Sequence, residues 1–242
     1  RGWGFGEVRT PVVEPAELFE RAVGEETGLV QHEMYTFKDR SDRRLCLRPE
    51  GTAGIVRAYV EGSLGHFSRY DNPKFFYIAP MYRAERPQKG RYREFWQIGA
   101  EIFCASQPTY DAQIIAILPT LLEEYGVKVK VQINSIGCSE CRAEYIKRLK
   151  KYLASKSKVL CASCNQRAER NPLRALDCKE DSPNFVDAPH MYLCKKCMDN
   201  FMGVRGNLRN YNVDFSNNPR LVRGLDYYSR TVFEIFPIDA TG

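Results

Sequence analysis

Five cations crowd into eleven residues of this chain: Arg83, Arg86, Lys89, Arg91 and Arg93, within the run MYRAERPQKGRYREFWQIGAE. Glu85 is the one acid among them, and Gln97 and Glu101 follow closely. A planar guanidinium binds phosphate oxygens in pairs. Several such forks aimed at one place, beside two acids and an amide, suit a polyphosphate and a small polar partner. A solvated basic hairpin would carry the same residues. The runs FFYI at 75–78 and FWQI at 95–98 bracket the cations, while Pro87, Lys89 and Gly90 interrupt any regular pattern. Two antiparallel strands joined by a long basic loop are predicted.

Two further segments carry polar chemistry at element ends. LCLRPEGTA at 45–53 takes a short apolar strand through Pro49 into Glu50, Gly51 and Thr52, followed by a helical run. LVRGLDYYSRTVFE at 221–234 sets Arg223 before Gly224 and follows it with Tyr227 and Tyr228. Together with the basic hairpin, these segments resemble those of the histidyl-tRNA synthetases, and the resemblance covers nearly the whole chain. The hairpin is similar to motif 2 of class II synthetases, FGEVRTPVVE at 5–14 to their motif 1, and Arg223-Gly224-Leu225-Asp226-Tyr227-Tyr228 to a motif particular to the histidine enzymes.

The resemblance implies ATP-dependent activation of L-histidine to histidyl-adenylate, then transfer to tRNA(His), with ATP arriving as its Mg2+ complex. Carboxylate and α-phosphate are both anionic, so cations must lower their repulsion and stabilise the charge of the transition state. Arg83 and Arg223 are the implied catalytic pair. Arg83 would bridge the amino-acid carboxylate and the α-phosphate, and Arg223 would approach from the other side, unless it merely pairs with an acid such as Asp226. Arg91 is expected at the terminal phosphates and Glu85 at the adenine, although Glu85 could equally pair with a neighbouring arginine. For the histidine itself, Glu50 and Gln97, helped by Gly51 and Thr52, can receive the ammonium. Glu101 and Tyr228 can meet the two imidazole nitrogens, since a neutral imidazole offers one donor and one acceptor. Tyr227 can line the same pocket. Adjacent strand residues point to opposite faces, so one of the two tyrosines can instead be core.

Nine cysteines are unevenly spread. Cys46 and Cys104 stand alone in apolar surroundings and are expected to be buried thiols. The rest lie between 138 and 197, in the pairs Cys138/Cys141, Cys161/Cys164 and Cys194/Cys197, with Cys178 apart. A cytoplasmic enzyme keeps thiols reduced, so a disulfide scaffold is not expected. Two Cys-x-x-Cys pairs can complete a tetrahedral Zn2+ site. Nineteen residues separate Cys141 from Cys161, a zinc-ribbon spacing; twenty-nine separate Cys164 from Cys194, which also allows two pairs to meet. Free thiols at helix starts remain the alternative.

The elements that must position these residues read as α+β. Strand patterns occupy 6–13, 33–38, 43–48, 74–82, 93–103, 127–133 and 221–236. Helical patterns occupy 15–23, 51–60, 110–125 and 140–154, the last with a basic outer face. The stretch from 155 to about 212 looks more irregular. Composition alone supports only α+β; the resemblance supplies a class II antiparallel sheet flanked by helices, with a Cys-rich, mostly helical insertion. Segments 1–135, 136–212 and 213–242 are expected to be the first part of the catalytic domain, the insertion, and the return strands. The chain ends before the family's motif 3 and holds neither the anticodon-binding domain nor the helix before motif 1. A partial catalytic domain is therefore expected, with its native N-terminus upstream of Arg1.

The 242 residues are 43% hydrophobic and 27% charged, as in globular proteins, with no apolar run near the ~20 residues of a membrane helix. No signal peptide is visible, although the chain begins at Arg1 and leaves room for a targeting segment upstream, and no membrane partner is expected. A net charge of +6 is compatible with a nucleic-acid partner without arguing for one. By resemblance, motif 1 implies a homodimer. Two other function classes stay in view: a histidyl-synthetase-like regulatory subunit of ATP phosphoribosyltransferase, which binds histidine without charging tRNA, and a zinc-stabilised nucleic-acid module.

Overall fold

The computed structural model describes residues 2–24, 27–62, 72–223 and 228–238. They fall into two compact units, the first within 1–106 and the second from 107 onward. That division differs from the motif-based segments. Residues 107–135 fall in the second unit because the strand Val129–Ser135 shares a sheet with the strands after residue 212 and the helix Pro108–Glu124 packs on the insertion helix Lys195–Asn210.

In the first unit, β1 (Gly6–Glu7) runs parallel to β5 (Lys74–Tyr82), which pairs antiparallel with β6 (Glu94–Ile102). A second sheet sets β4 (Arg44–Leu47) between β2 (Val13–Pro15) and β3 (Thr36–Lys38), both antiparallel to it. The single strand expected over 6–13 is therefore broken, and its two ends serve different sheets. Pro11 has no N–H for a ladder. The buried Arg48 guanidinium holds the bend, donating to the carbonyls of Thr10 at 2.7 Å and Pro80 at 2.9 Å. The β3–β4 turn is closed by the Asp39 carboxylate, which accepts the Ser41 and Arg43 amides at 2.9 Å each.

Helix α1 (Ala16–Val23) buries Ala16, Phe19 and Val23 on one stripe, and α2 (Thr52–Val60) buries Ala53, Gly54 and Ile55. Ile55 packs with Phe75, Tyr77 and Met81 of β5. Cys46 is buried beneath α1, as expected. Cys104 is not: it is exposed at a positive-φ position just past β6, where its sulfur meets the Tyr59 hydroxyl at 3.1 Å.

The second unit is built on β7 (Val129–Ser135), parallel to β8 (Phe215–Asn217) and antiparallel to β9 (Thr231–Pro237). Helices α3 (Pro108–Glu124) and α6 (Lys195–Asn210) cover it, packing Ile115, Phe201, Val204 and Leu208 on Val131 and Ile133. The expected strand over 221–236 shortens to β9, and Gly224 to Tyr227 lie outside the described residues. The insertion adds α4 (Ser139–Ser155), α5 (Ala162–Arg170) and two 3-10 turns, Pro172–Asp177 and Ser182–Phe185. Helix α6 lies in the stretch expected to be irregular. Its buried positions Cys197, Phe201, Val204 and Leu208 keep helical spacing, but Gly203, Gly206 and three asparagines dilute the pattern. Among the described residues no helix is long and apolar enough to cross a membrane.

Candidate functional site

Side chains alternate across a strand, so the register of β5 and β6 decides which residues meet. Phe75 faces Glu101, Tyr77 faces Gly99, Ala79 faces Gln97 and Met81 faces Phe95. This face packs toward α2; the other leaves Ile78, Trp96 and Ile98 exposed.

Tyr77 organises the floor of the site. A Cβ at Gly51 or at Gly99 would overlap its ring, so both positions must be glycine for the ring to lie where it does. The Gln97 side-chain amide donates to the Tyr77 hydroxyl at 2.7 Å. Burial, with the charges of Glu101 and Glu50 adding, raises the Tyr77 phenol well above its ordinary range. It stays protonated and can donate in turn. Tyr77 is absent from the sequence-level assignment; Gly51 and Gly99, each bordering a motif residue, were the available signal.

Glu50 sits where the chain leaves β4 and enters α2. Its two carboxylate oxygens accept the Thr52 and Ala53 amides at 2.8 Å each, capping the helix start. Thr52 Oγ1 donates to Glu101 Oε1 at 2.7 Å. Glu101 is pushed up to about 7, chiefly by burial and further by the nearby charge of Glu50, against the opposing Thr52 hydrogen bond. Burial also raises Glu50, against its two amide bonds. The pair stores negative potential that a bound ammonium or imidazole N–H would relieve.

Arg83 leaves the end of β5. Its amide donates to the Arg93 carbonyl at 2.8 Å, extending the ladder one step past the strand. Its Nε donates to the Pro49 carbonyl at 3.0 Å, and the guanidinium lies 5.0 Å over the Phe95 ring. Among the described residues the two terminal amino groups have no hydrogen-bond partner, so a fork is held ready for an anion. Gln88 and Arg91 close the loop tip with paired backbone hydrogen bonds. Arg91 Nη1 meets Glu85 Oε2 at 3.2 Å, so the two residues expected at opposite ends of ATP pair with each other here. Exposed ion pairs contribute little, and this one can open.

The first unit thus gathers Glu50, Gly51, Thr52, Arg83, Gln97 and Glu101, with Glu85 and Arg91 on the adjoining loop. Arg223 and Tyr228 belong to the second unit. There the Arg223 guanidinium lies 5.9 Å over the Tyr228 ring and 3.7 Å from the Glu234 carboxylate. The Tyr228 carbonyl accepts Arg142 at 2.9 Å. Tyr227 and Asp226 lie outside the described residues.

The cysteines gather differently from the ribbon reading. Cys138/Cys141 meet Cys194/Cys197, and all four sulfurs lie within 4.8 Å of one another. Cys138 and Cys194 cap the starts of α4 and α6. The Cys194 amide donates to Cys141 Sγ at 3.1 Å. Cys161/Cys164 instead meet Cys178 and Asp181. The nineteen-residue gap misleads because α4 is 17 residues long and carries the chain away from Cys141 before α5 begins.

The basic face of α4 is also partly consumed. Arg142 binds the Tyr228 carbonyl, Arg148 donates to the His190 carbonyl at 3.0 Å, and Lys156 pairs with Asp187 at 2.6 Å. Lys147, Lys150 and Lys151 stay exposed, Lys147 pairing with Glu144.

A family model described as histidyl-tRNA synthetase matches residues 1–241. A histidine–tRNA ligase of Endomicrobium trichonymphae is 50% identical over 96% of this chain and 56% of that protein. That of Thermodesulfovibrio yellowstonii is 46% identical, again over 96% of this chain and 56% of the relative. The chain therefore spans little more than half the length of such relatives. Apo histidyl-tRNA synthetase of Staphylococcus aureus superposes with a TM-score of 0.73 at 33% identity, over 97% of this chain and 53% of that one. A Bacillus halodurans protein described as an ATP phosphoribosyltransferase regulatory subunit/histidyl-tRNA synthetase shares the fold, with a TM-score of 0.68 at 22% identity. Matched almost end to end by the family model and half identical to such relatives, the chain belongs to the histidyl-tRNA synthetase family.

Proposed function

We propose that the protein to which this chain belongs activates L-histidine with ATP and transfers the histidyl group to tRNA(His). The observation that carries the reading is Arg83. Its Nε is spent on the Pro49 carbonyl, its outer amino groups stay available, and its positive charge acts on Glu50, the acid at the start of α2. In this reading Arg83 takes the histidine carboxylate and the α-phosphate, drawing the nucleophile and the phosphorus together and stabilising charge that grows as the bond forms. Gln97 and the Glu50–Thr52 helix start receive the ammonium. Glu101 accepts an imidazole N–H, and Tyr228 meets the other ring nitrogen. Arg223 approaches the α-phosphate, Arg91 the terminal phosphates, and Glu85 the adenine once their ion pair opens. Mg2+ enters as the counter-ion of ATP.

Several parts of this proposal rest on the family resemblance: a homodimer joined through motif 1, a cytoplasmic location and tRNA(His) as acceptor. Zinc held by Cys138, Cys141, Cys194 and Cys197 would tie the starts of α4 and α6 together, since four thiolates at this spacing suit a closed tetrahedral site. A regulatory subunit that only binds histidine would have no use for phosphate-directed arginines.

The test is histidine-dependent ATP–pyrophosphate exchange by the full-length protein. Exchange with histidine alone among the amino acids is expected, and Arg83→Ala should lower it by ~10²-fold or more. Exchange supported equally by phenylalanine or glutamine, or unaffected by the substitution, would overturn the assignment.

A further inference from the structure

The inner part of the cysteine-rich segment holds a second constellation. Cys161 caps α5 and Cys164 lies in its first turn. Cys178 closes the Pro172–Asp177 turn, and Asp181 precedes the Ser182–Phe185 turn. One donor atom from each of the four lies within 4.8 Å of the other three. Cys161 Sγ is 4.0 Å from Cys178 Sγ. Two sulfurs on one tetrahedral zinc, each at ~2.3 Å, sit roughly 3.8 Å apart, whereas a disulfide needs about 2.05 Å.

Amide donors orient two of the four groups. Cys161 Sγ accepts the Cys164 amide at 3.4 Å. Asp181 is 3% exposed, and its carboxylate accepts the Cys161 amide at 3.0 Å and the Asn184 side-chain amide at 3.2 Å. Those two donors fix its direction, and its remaining lone pairs face the Cys164 and Cys161 thiols. Among the described residues no cation pairs with it, and a buried carboxylate facing three thiols calls for one. The spacing is two residues between Cys161 and Cys164, thirteen between Cys164 and Cys178, and two between Cys178 and Asp181. The middle gap is shorter than the usual zinc-ribbon spacing and the fourth place holds an aspartate, so it is the folded geometry that marks the set.

We propose that Cys161, Cys164, Cys178 and Asp181 form a zinc centre of their own, separate from the four-cysteine cluster. Three sulfurs and one carboxylate oxygen fill a tetrahedral shell and select zinc over the hard cations. No protein donor is missing, so the centre is structural. It clips α5 to the two 3-10 turns, over a core of Leu160, Ala175, Leu176 and Phe185. The two centres are nested: the outer one closes the chain from Cys138 to Cys197, and the inner one closes 161–181 within it. The inference does not depend on the histidine reading.

Metal analysis of the full-length protein, purified without chelator, tests it. About two equivalents of zinc per chain are expected. Cys178→Ser with Asp181→Ala should lower this to about one, and Cys194→Ser should separately remove the other. Replacing zinc with Co2+ adds a readout that tolerates local loosening. Sulfur-to-cobalt charge-transfer intensity should correspond to seven thiolates, and Asp181→Cys should raise it toward eight. A folded protein with one equivalent that disappears in Cys194→Ser and persists in the Cys178/Asp181 variant would overturn this centre while leaving the outer one. Two equivalents unchanged in the Cys178/Asp181 variant, or an unchanged cobalt spectrum in Asp181→Cys, would overturn it too. The reverse pattern, with zinc lost only when Cys178 and Asp181 are replaced, would support this centre and remove the outer one.

Discussion

Glu101 gives the site its most testable electrostatic property. Burial and the neighbouring Glu50 raise it from 4.5 to about 7. An acid with a raised folded-state pKa binds its proton more tightly folded than unfolded. Its charge therefore costs nothing well below pH 4.5, costs more as the pH climbs toward 7, and reaches a plateau above. At 1.36 kcal/mol per unit, the full difference is roughly 3 kcal/mol at pH 8 and below about 1 kcal/mol at pH 5. Glu101→Gln keeps an oxygen for the Thr52 hydroxyl and removes the charge. In the full-length protein the variant should be more stable than the parent at pH 8, by up to ~3 kcal/mol, with most of that gain gone at pH 5. Hydrogen exchange of the β6 amides reports the local opening energy at both pH values, and a carbon-13 titration of the parent's Glu101 carboxyl reads the midpoint directly. The same substitution should weaken histidine binding, because the ring N–H loses an anionic acceptor. A midpoint near 4.5, or no pH-dependent difference between parent and variant, would refute the account of stored charge.

Gly99→Ala should cost about 1–3 kcal/mol, because its methyl would overlap the Tyr77 ring and break the Gln97 bond; thermal denaturation within 0.5 kcal/mol of the parent would mean that the ring has room to move. Arg223→Ala in the full-length protein should slow adenylate formation by ~10²-fold while changing histidine affinity less, the mark of a contact that strengthens in the transition state. A near-normal exchange rate would reduce Arg223 to its packing on Tyr228 and its approach to Glu234. Changing Lys147, Lys150 and Lys151 together to Glu should raise the KM for tRNA and flatten its salt dependence, leaving ATP–pyrophosphate exchange unchanged. Unaltered tRNA kinetics would leave the exposed side of α4 as solvated surface.

Local rules made much of this protein legible in its sequence. Alternation and turn residues marked β5, β6 and the basic loop between them, because a hairpin's pattern lies in contiguous residues. The helix starts at Thr52 and Ser139 and the long α3 were readable for the same reason. Glu50, Arg83, Gln97 and Glu101 could be named because their segments resemble the motifs of the histidyl-tRNA synthetases, and a motif is contiguous in sequence. Their partners could not. Tyr77 was only part of a strand pattern until the register set it between Gly51 and Gly99, residues far apart along the chain. The pairing of cysteines likewise depends on where α4, α5 and α6 begin in space. Spacing joined Cys141 to Cys161, but folding brings Cys141 to Cys194 across 52 intervening residues. Asp181 stood out in no pattern, since a carboxylate becomes a candidate ligand only when three sulfurs surround it. Sequence determined which residues have the chemistry; tertiary structure decided their company, because hydrogen bonds and ligand shells form between elements whose approach no local rule encodes.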